Sequence, residues 1–167
     1  VSLELAELRK QEVSGLKYKL YFKIPEDKNE EVSGKVVVDF MLNRTNVDKT
    51  NEFGGVLLDC RINKDKIYKV WANGRQVNKW IVNEHIVIPE SVVKKGANQI
   101  AVQFVAEDQS LNRNAEYLYT LLVPDRARTL FPCFDQPNLK AEFSLQLDIP
   151  ARWTAVSNTA IINEKTT

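Results

Sequence analysis

Strict alternation of apolar and polar positions dominates the chain. Leu16, Tyr18, Leu20, Phe22 and Ile24 fall on one side of the first such stretch, and Lys17, Lys19, Tyr21 and Lys23 on the other. Successive side chains of an extended strand point to opposite faces, so this spacing predicts a strand with a core face and a lysine-rich wet face. The pattern returns with Val36, Val38, Phe40 and Leu42, and again with Phe143, Leu145, Leu147 and Ile149 set against Glu142, Ser144, Gln146 and Asp148. All three read as antiparallel-type strands with one solvated face.

Shorter strand candidates occupy residues 55–60, 66–72, 80–82, 85–88, 99–105, 117–123 and 153–157. Turn chemistry separates them. Asn73-Gly74 can supply the positive φ of a tight hairpin, and Lys95-Gly96-Ala97-Asn98 marks another reversal. Leu3, Leu5, Ala6 and Leu8 fit a short lead-in helix loosely, with Gly15 placed to end it. About ten short strands with little helical periodicity elsewhere describe an all-β protein, an antiparallel β-sandwich. No linker, low-complexity tract or internal repeat interrupts residues 1–167, which read as one domain.

Composition narrows the function. Lys and Arg total 23 against 22 Asp and Glu, a net charge of +1, so no basic excess is available to neutralise nucleic-acid phosphates. No apolar run approaches the roughly 20 residues that span a bilayer, and no basic segment followed by an apolar core opens the chain. A signal or anchor removed before Val1 would be consistent with a secreted or periplasmic address, so the compartment stays open. Cys60 and Cys133 could pair, but two cysteines in a domain of this size are more often buried free thiols.

Catalytic machinery is missing from the pattern. A zinc hydrolase needs about three side-chain ligands, commonly from His-Glu-x-x-His on a helix. The single histidine, His85, sits between Glu84 and Ile86 and reads as a surface or edge-strand residue. No Gly-x-Ser-x-Gly, glycine-rich phosphate loop or Cys-x-x-Cys is present. The pairs Glu30-Glu31 and Glu107-Asp108 are adjacent residues, which a strand would point to opposite faces, and solvated turns account for them.

Residues 127–141 carry the one dense motif. Ala127, Arg128, Phe131, Pro132, Cys133, Phe134, Asp135, Pro137, Lys140 and Ala141 match, position by position, a signature of the first domain of aminopeptidase N relatives. The chain resembles the N-terminal domain of that zinc metallopeptidase family, and residues 18–25, 32–40 and 153–158 extend the likeness. Physically the motif reads as structure. Phe131, Cys133 and Phe134 supply bulk around the Pro132 bend, Asp135 can accept backbone N–H groups, and Arg128 can pair with it if the two are close.

The resemblance implies that this domain is non-catalytic and caps a catalytic domain, beyond Thr167, that holds the zinc and acts on peptide N-termini. It also implies further strands after residue 158, and hence an unpaired sheet edge here. One departure stands out. Where many relatives have Gln-x-Glu, whose acid helps hold the substrate's α-amine, this chain has Leu121 and Val123. Neither can hydrogen-bond an ammonium group. Either the catalytic domain recognises the amine alone, or the protein is a binding or scaffolding module that has shifted or lost peptidase activity. A third class is an adhesive or carbohydrate-binding sandwich with Trp71, Trp80 and Trp153 as a stacking platform.

Overall fold

The computed structural model describes residues 2–43 and 54–166. Helix α1 (Leu3–Glu12) comes first, its N-terminus capped by the Ser2 hydroxyl, which accepts the Leu5 N–H at 3.2 Å. Glu4 in its first turn and Arg9 and Lys10 in its last match the helix dipole. The helix stops at Val13, earlier than expected, and the backbone runs straight into β1 (Val13–Lys23). Gly15 does not end the helix. It adopts φ +60° inside β1, where pairing shifts register between Ser14 and Lys17, a bulge that a residue with a Cβ would disfavour.

The remaining strands are β2 (Ser33–Leu42), β3 (Gly55–Asp59), β4 (Ile67–Ala72), β5 (Arg75–Val77), β6 (Ile81–Val82), β7 (His85–Pro89), β8 (Gly96–Val105), β9 (Leu111–Arg113), β10 (Leu118–Thr120) and β11 (Ala141–Asp148). They form a six-stranded sheet in the order β11-β1-β2-β8-β4-β5, a three-stranded sheet β3-β7-β6, and the two-stranded β9-β10 ribbon. The alternation of β2 is realised in full: Val36, Val38, Phe40 and Leu42 are buried. Asn73 (φ 50°) and Gly74 (φ 80°) make the β4–β5 turn, with the positive φ at both central positions that a tight hairpin requires.

The two larger sheets face each other across one core. Val36, Val38, Val70, Ile100 and Val102 of the six-stranded sheet belong to the same buried cluster as Val56, Leu58, Ile86 and Ile88 of the three-stranded one. This is the expected all-β sandwich. All five residues of β3 are buried, Asp59 included, which sets up the chemistry described below.

Two expectations are corrected. β11 pairs with β1 in parallel, not antiparallel, and its apolar face is only partly covered: Phe143 is 60% and Leu145 47% exposed. Alternation shows which residues share a face but not which way a neighbour runs or whether anything lies over it. Phe143 does stack on Tyr18, with ring centroids 4.9 Å apart. Residues 153–157 form no strand. After Trp153 donates its N–H to Pro150 O at 2.9 Å, they find no ladder partner among the described residues, and Val156 is exposed.

Candidate functional site

The end of β3 and the segment after residue 127 are bolted together. Asp59 N–H donates to Cys133 O at 2.8 Å and Cys133 N–H returns to Asp59 O at 3.1 Å, a two-bond bridge between β3 and the motif. Around it Phe131, Pro132, Cys133 and Phe134 are all buried, whereas Pro137 and Lys140 lie at the surface. The Asp59 carboxylate, with no exposed surface, is the hub. Arg9 of α1 grips it through both terminal guanidinium nitrogens, Nη1 to Oδ2 at 2.9 Å and Nη2 to Oδ1 at 2.8 Å, and Nη2 also reaches Leu57 O at 2.8 Å. The Asp135 N–H donates to Asp59 Oδ2 at 2.8 Å. A buried carboxylate survives only when paired and hydrogen-bonded, and this one is both.

Burial alone would raise the Asp59 pKa. The contacts from His85, from Arg9 and from the Asp135 N–H outweigh it, and the carboxyl is held down at about 2. Asp135 goes the other way: burial raises its pKa, opposed by the Arg128 N–H that its Oδ2 accepts at 3.1 Å. The Arg128 guanidinium itself turns to Asp125, 3.1 Å away, so the link between Arg128 and Asp135 runs through the backbone amide.

His85 is not a surface or edge residue. It lies on β7, the middle strand of the smaller sheet, with its side chain 15% exposed and Nε2 3.1 Å from Asp59 Oδ1, out of line for a good hydrogen bond. Cys60 and Cys133 are free and buried. Burial pushes the Cys60 thiol up to about 12 and the Cys133 thiol well above its usual range, so neither is available as a thiolate ligand. A zinc centre does not fit these donors. The Asp59 oxygens are occupied by a guanidinium and an amide, the sulfurs are protonated, and among the described residues no three His, Cys, Asp or Glu side chains converge.

The exposed side of this assembly is the segment from β10 to Asp125. Tyr117, Tyr119, Leu121 and Val123 recur at every second position and are 57%, 51%, 51% and 75% exposed. The backbone beneath them is held: Leu121 N–H donates to Ser110 O at 3.2 Å and Arg126 N–H to Leu122 O at 3.0 Å. Ser110 and Thr129 share a buried hydroxyl contact of 2.6 Å just behind. The stripe offers apolar contact and no charge. Of the three tryptophans, Trp71 is on β4, Trp80 precedes β6 and Trp153 follows β11.

A family model described as the peptidase M1 N-terminal domain matches residues 14–167. The chain belongs to the peptidase M1 N-terminal domain family. Aminopeptidase M1-D of Oryza sativa subsp. japonica is 51% identical over 39 residues, 23% of this chain and 4% of that protein. Aminopeptidase 2, mitochondrial, of Saccharomyces cerevisiae is 40% identical over 58 residues, 35% of this chain and 6% of that one. The chain therefore spans only about a twentieth of the curated relatives it matches. Among solved structures, leukotriene A4 hydrolase from Saccharomyces cerevisiae superposes with a TM-score of 0.61 at 17% identity, over 84% of this chain and 24% of that one. An M1 zinc metallopeptidase from Deinococcus radiodurans gives 0.57 at 17% identity, over 81% and 32%. At such identity these two show the fold alone.

Within this M1 N-terminal domain, helix α1 precedes the matched residues yet supplies the counter-charge at the hub. Neither Arg9 nor Asp59 was singled out by the sequence. The available signal was an aspartate closing the otherwise apolar run Val56-Leu57-Leu58, an unusual place for a carboxylate without a cation nearby.

Proposed function

We propose that this chain is the non-catalytic domain of a zinc-dependent aminopeptidase that releases N-terminal residues from peptides. In this reading residues 1–167 are one domain, which covers a separate zinc-holding catalytic domain and presents Leu121 and Val123 near the substrate's N-terminus. The observation that carries it is the family match over residues 14–167, joined to an exposed apolar stripe on a loop whose backbone is fixed from behind. Fixed backbone under exposed side chains is what a loop that lines a site in another domain needs, because ordering costs are then met before binding. A second reading, a binding or scaffolding module without peptidase activity, draws on the apolar Leu121 and Val123 where relatives carry Gln-x-Glu.

The full-length polypeptide and one lacking this domain decide between them. Zinc-dependent hydrolysis of aminoacyl anilides by the full-length protein, weakened by removal of the domain, is expected. Activity untouched by the removal would refute the covering role. A full-length protein with no His-Glu-x-x-His and no hydrolysis would establish the second reading.

A further inference from the structure

Helix α1 is tied down in an unusual way. Arg9 is its one buried residue, Leu3 is 75% exposed, and Leu5, Ala6 and Leu8 are only half-buried, so apolar burial contributes little to its docking. Polar ties replace it, and they land on successive motif residues. Arg9 lies over the Phe134 ring, 5.3 Å from its centroid. Through Asp59 it reaches the Asp135 N–H, and the Gln136 side chain, itself buried, donates from Nε2 to Ala6 O at 2.8 Å. From Asp135 the connection continues to the Arg128 N–H, and Arg128 O accepts the Arg61 N–H at 2.8 Å.

We infer that α1 is a strap that positions the loop of residues 121–128. By neutralising Asp59, Arg9 lets that carboxylate hold the Asp135 amide, and Asp135 in turn holds the Arg128 amide at the base of the exposed stripe. Arg9 is thus a positioning residue acting through two carboxylates. Without it Asp59 keeps only the poorly aligned imidazole of His85 beside it, and a buried charge so exposed to imbalance turns away from Asp135 or draws in water. The loop then loses its anchor at Arg128, though not the Leu121 contact to Ser110, while the sandwich core, which α1 barely touches, stays closed. The positioning role does not depend on what the loop contacts in a larger protein.

Residue-resolved amide exchange on the whole chain tests it. In Arg9→Met, protection at Asp135 and Arg128 is expected to fall at least about tenfold relative to the central amides of β2 and β8. Arg9→Lys restores the charge but cannot span both Asp59 oxygens and Leu57 O. It is expected to recover much of the unfolding midpoint and little of the local protection. Wild-type protection at both amides in Arg9→Met would overturn the inference, as would a uniform loss across all strands. Should Arg9→Met fail to fold, unchanged protection at Asp135 and Arg128 in Arg9→Lys overturns it equally, and selective loss there supports it.

Discussion

The hydroxyl oxygen of Tyr18 accepts the Phe134 N–H at 2.9 Å, joining the middle of β1 to the motif across 116 positions of chain. Burial pushes the Tyr18 phenol well above its ordinary pKa, and the ring packs on Phe131 and Phe143. Tyr18→Phe keeps those ring contacts and removes only the acceptor. The Phe134 amide is then left buried without a partner, which costs roughly 1–3 kcal/mol. Urea unfolding should show a lower midpoint with an unchanged slope. An unaltered midpoint would mean that the amide finds another acceptor and that the Tyr18 contact contributes nothing.

Asp59 sets an acid limb. Its carboxyl falls from an ordinary 3.8 to about 2 in the folded protein, so the fold gains from its ionised form. That gain, roughly 2 kcal/mol, is present above about pH 4 and is lost as pH falls through about 2. Asp135 works in the opposite sense, because burial raises its carboxyl and protonation relieves it. Asp59→Asn leaves the Arg9 guanidinium buried and unpaired, at a cost of roughly 3–5 kcal/mol near neutrality. The gap between wild type and Asp59→Asn should narrow between pH 4 and 2 in urea midpoints. A gap of constant size over that range would show that Asp59 is not the titrating group.

Two glycines should rank in a defined order. A Cβ at Gly55 would sit 2.2 Å from the Ile88 carbonyl oxygen, and one at Gly34 would sit 2.6 Å from the Phe104 ring. Phe104 is buried and cannot swing aside freely, so Gly34→Ala should cost roughly 1–3 kcal/mol. Gly55→Ala should cost more, since backbone yields less than a ring edge. Thermal melts of both variants check the order, and a Gly34→Ala melt identical to wild type would contradict the packing argument.

In the full-length enzyme of the proposed function, Val123→Glu should raise kcat/KM on aminoacyl anilides. A charge-assisted hydrogen bond to a desolvated ammonium is worth roughly 1.5–3 kcal/mol, or about ten- to a hundredfold. Val123 is 75% exposed, so the substitution should not disturb folding. A well-folded Val123→Glu enzyme with unchanged or lower kcat/KM would place the loop away from the subsite, or show that another acid already fills that position.

Much of the fold was legible because β1 and β2 each have one wet face, and water enforces period two there. The Asn73-Gly74 hairpin was legible because its positive φ angles restrict residue choice. β11 shows the limit: Phe143 and Leu145 alternate as a core strand does, yet they sit at the rim, and no local pattern encodes a parallel partner. The hub was hidden for a related reason. Arg9, Asp59, His85 and Asp135 come from four separate segments, and only the tertiary structure makes them neighbours. His85 therefore looked like an ordinary strand residue.

The parallel pairing of β1 with β11 has a kinetic consequence. Tyr21 and Asp148, which meet through a 3.4 Å hydrogen bond across that ladder, are 127 positions apart. A chain growing at roughly 5–20 residues per second leaves the outer edge of β1 without its neighbour for several seconds or more after β2 has arrived. Non-local closure of this kind is slow, and a strand edge with unpaired backbone groups is a template for pairing with other chains. A polypeptide stalled or cut before Ala141 would carry that unpaired edge permanently, so the β1 edge is covered only once the last strand of the sheet has been made.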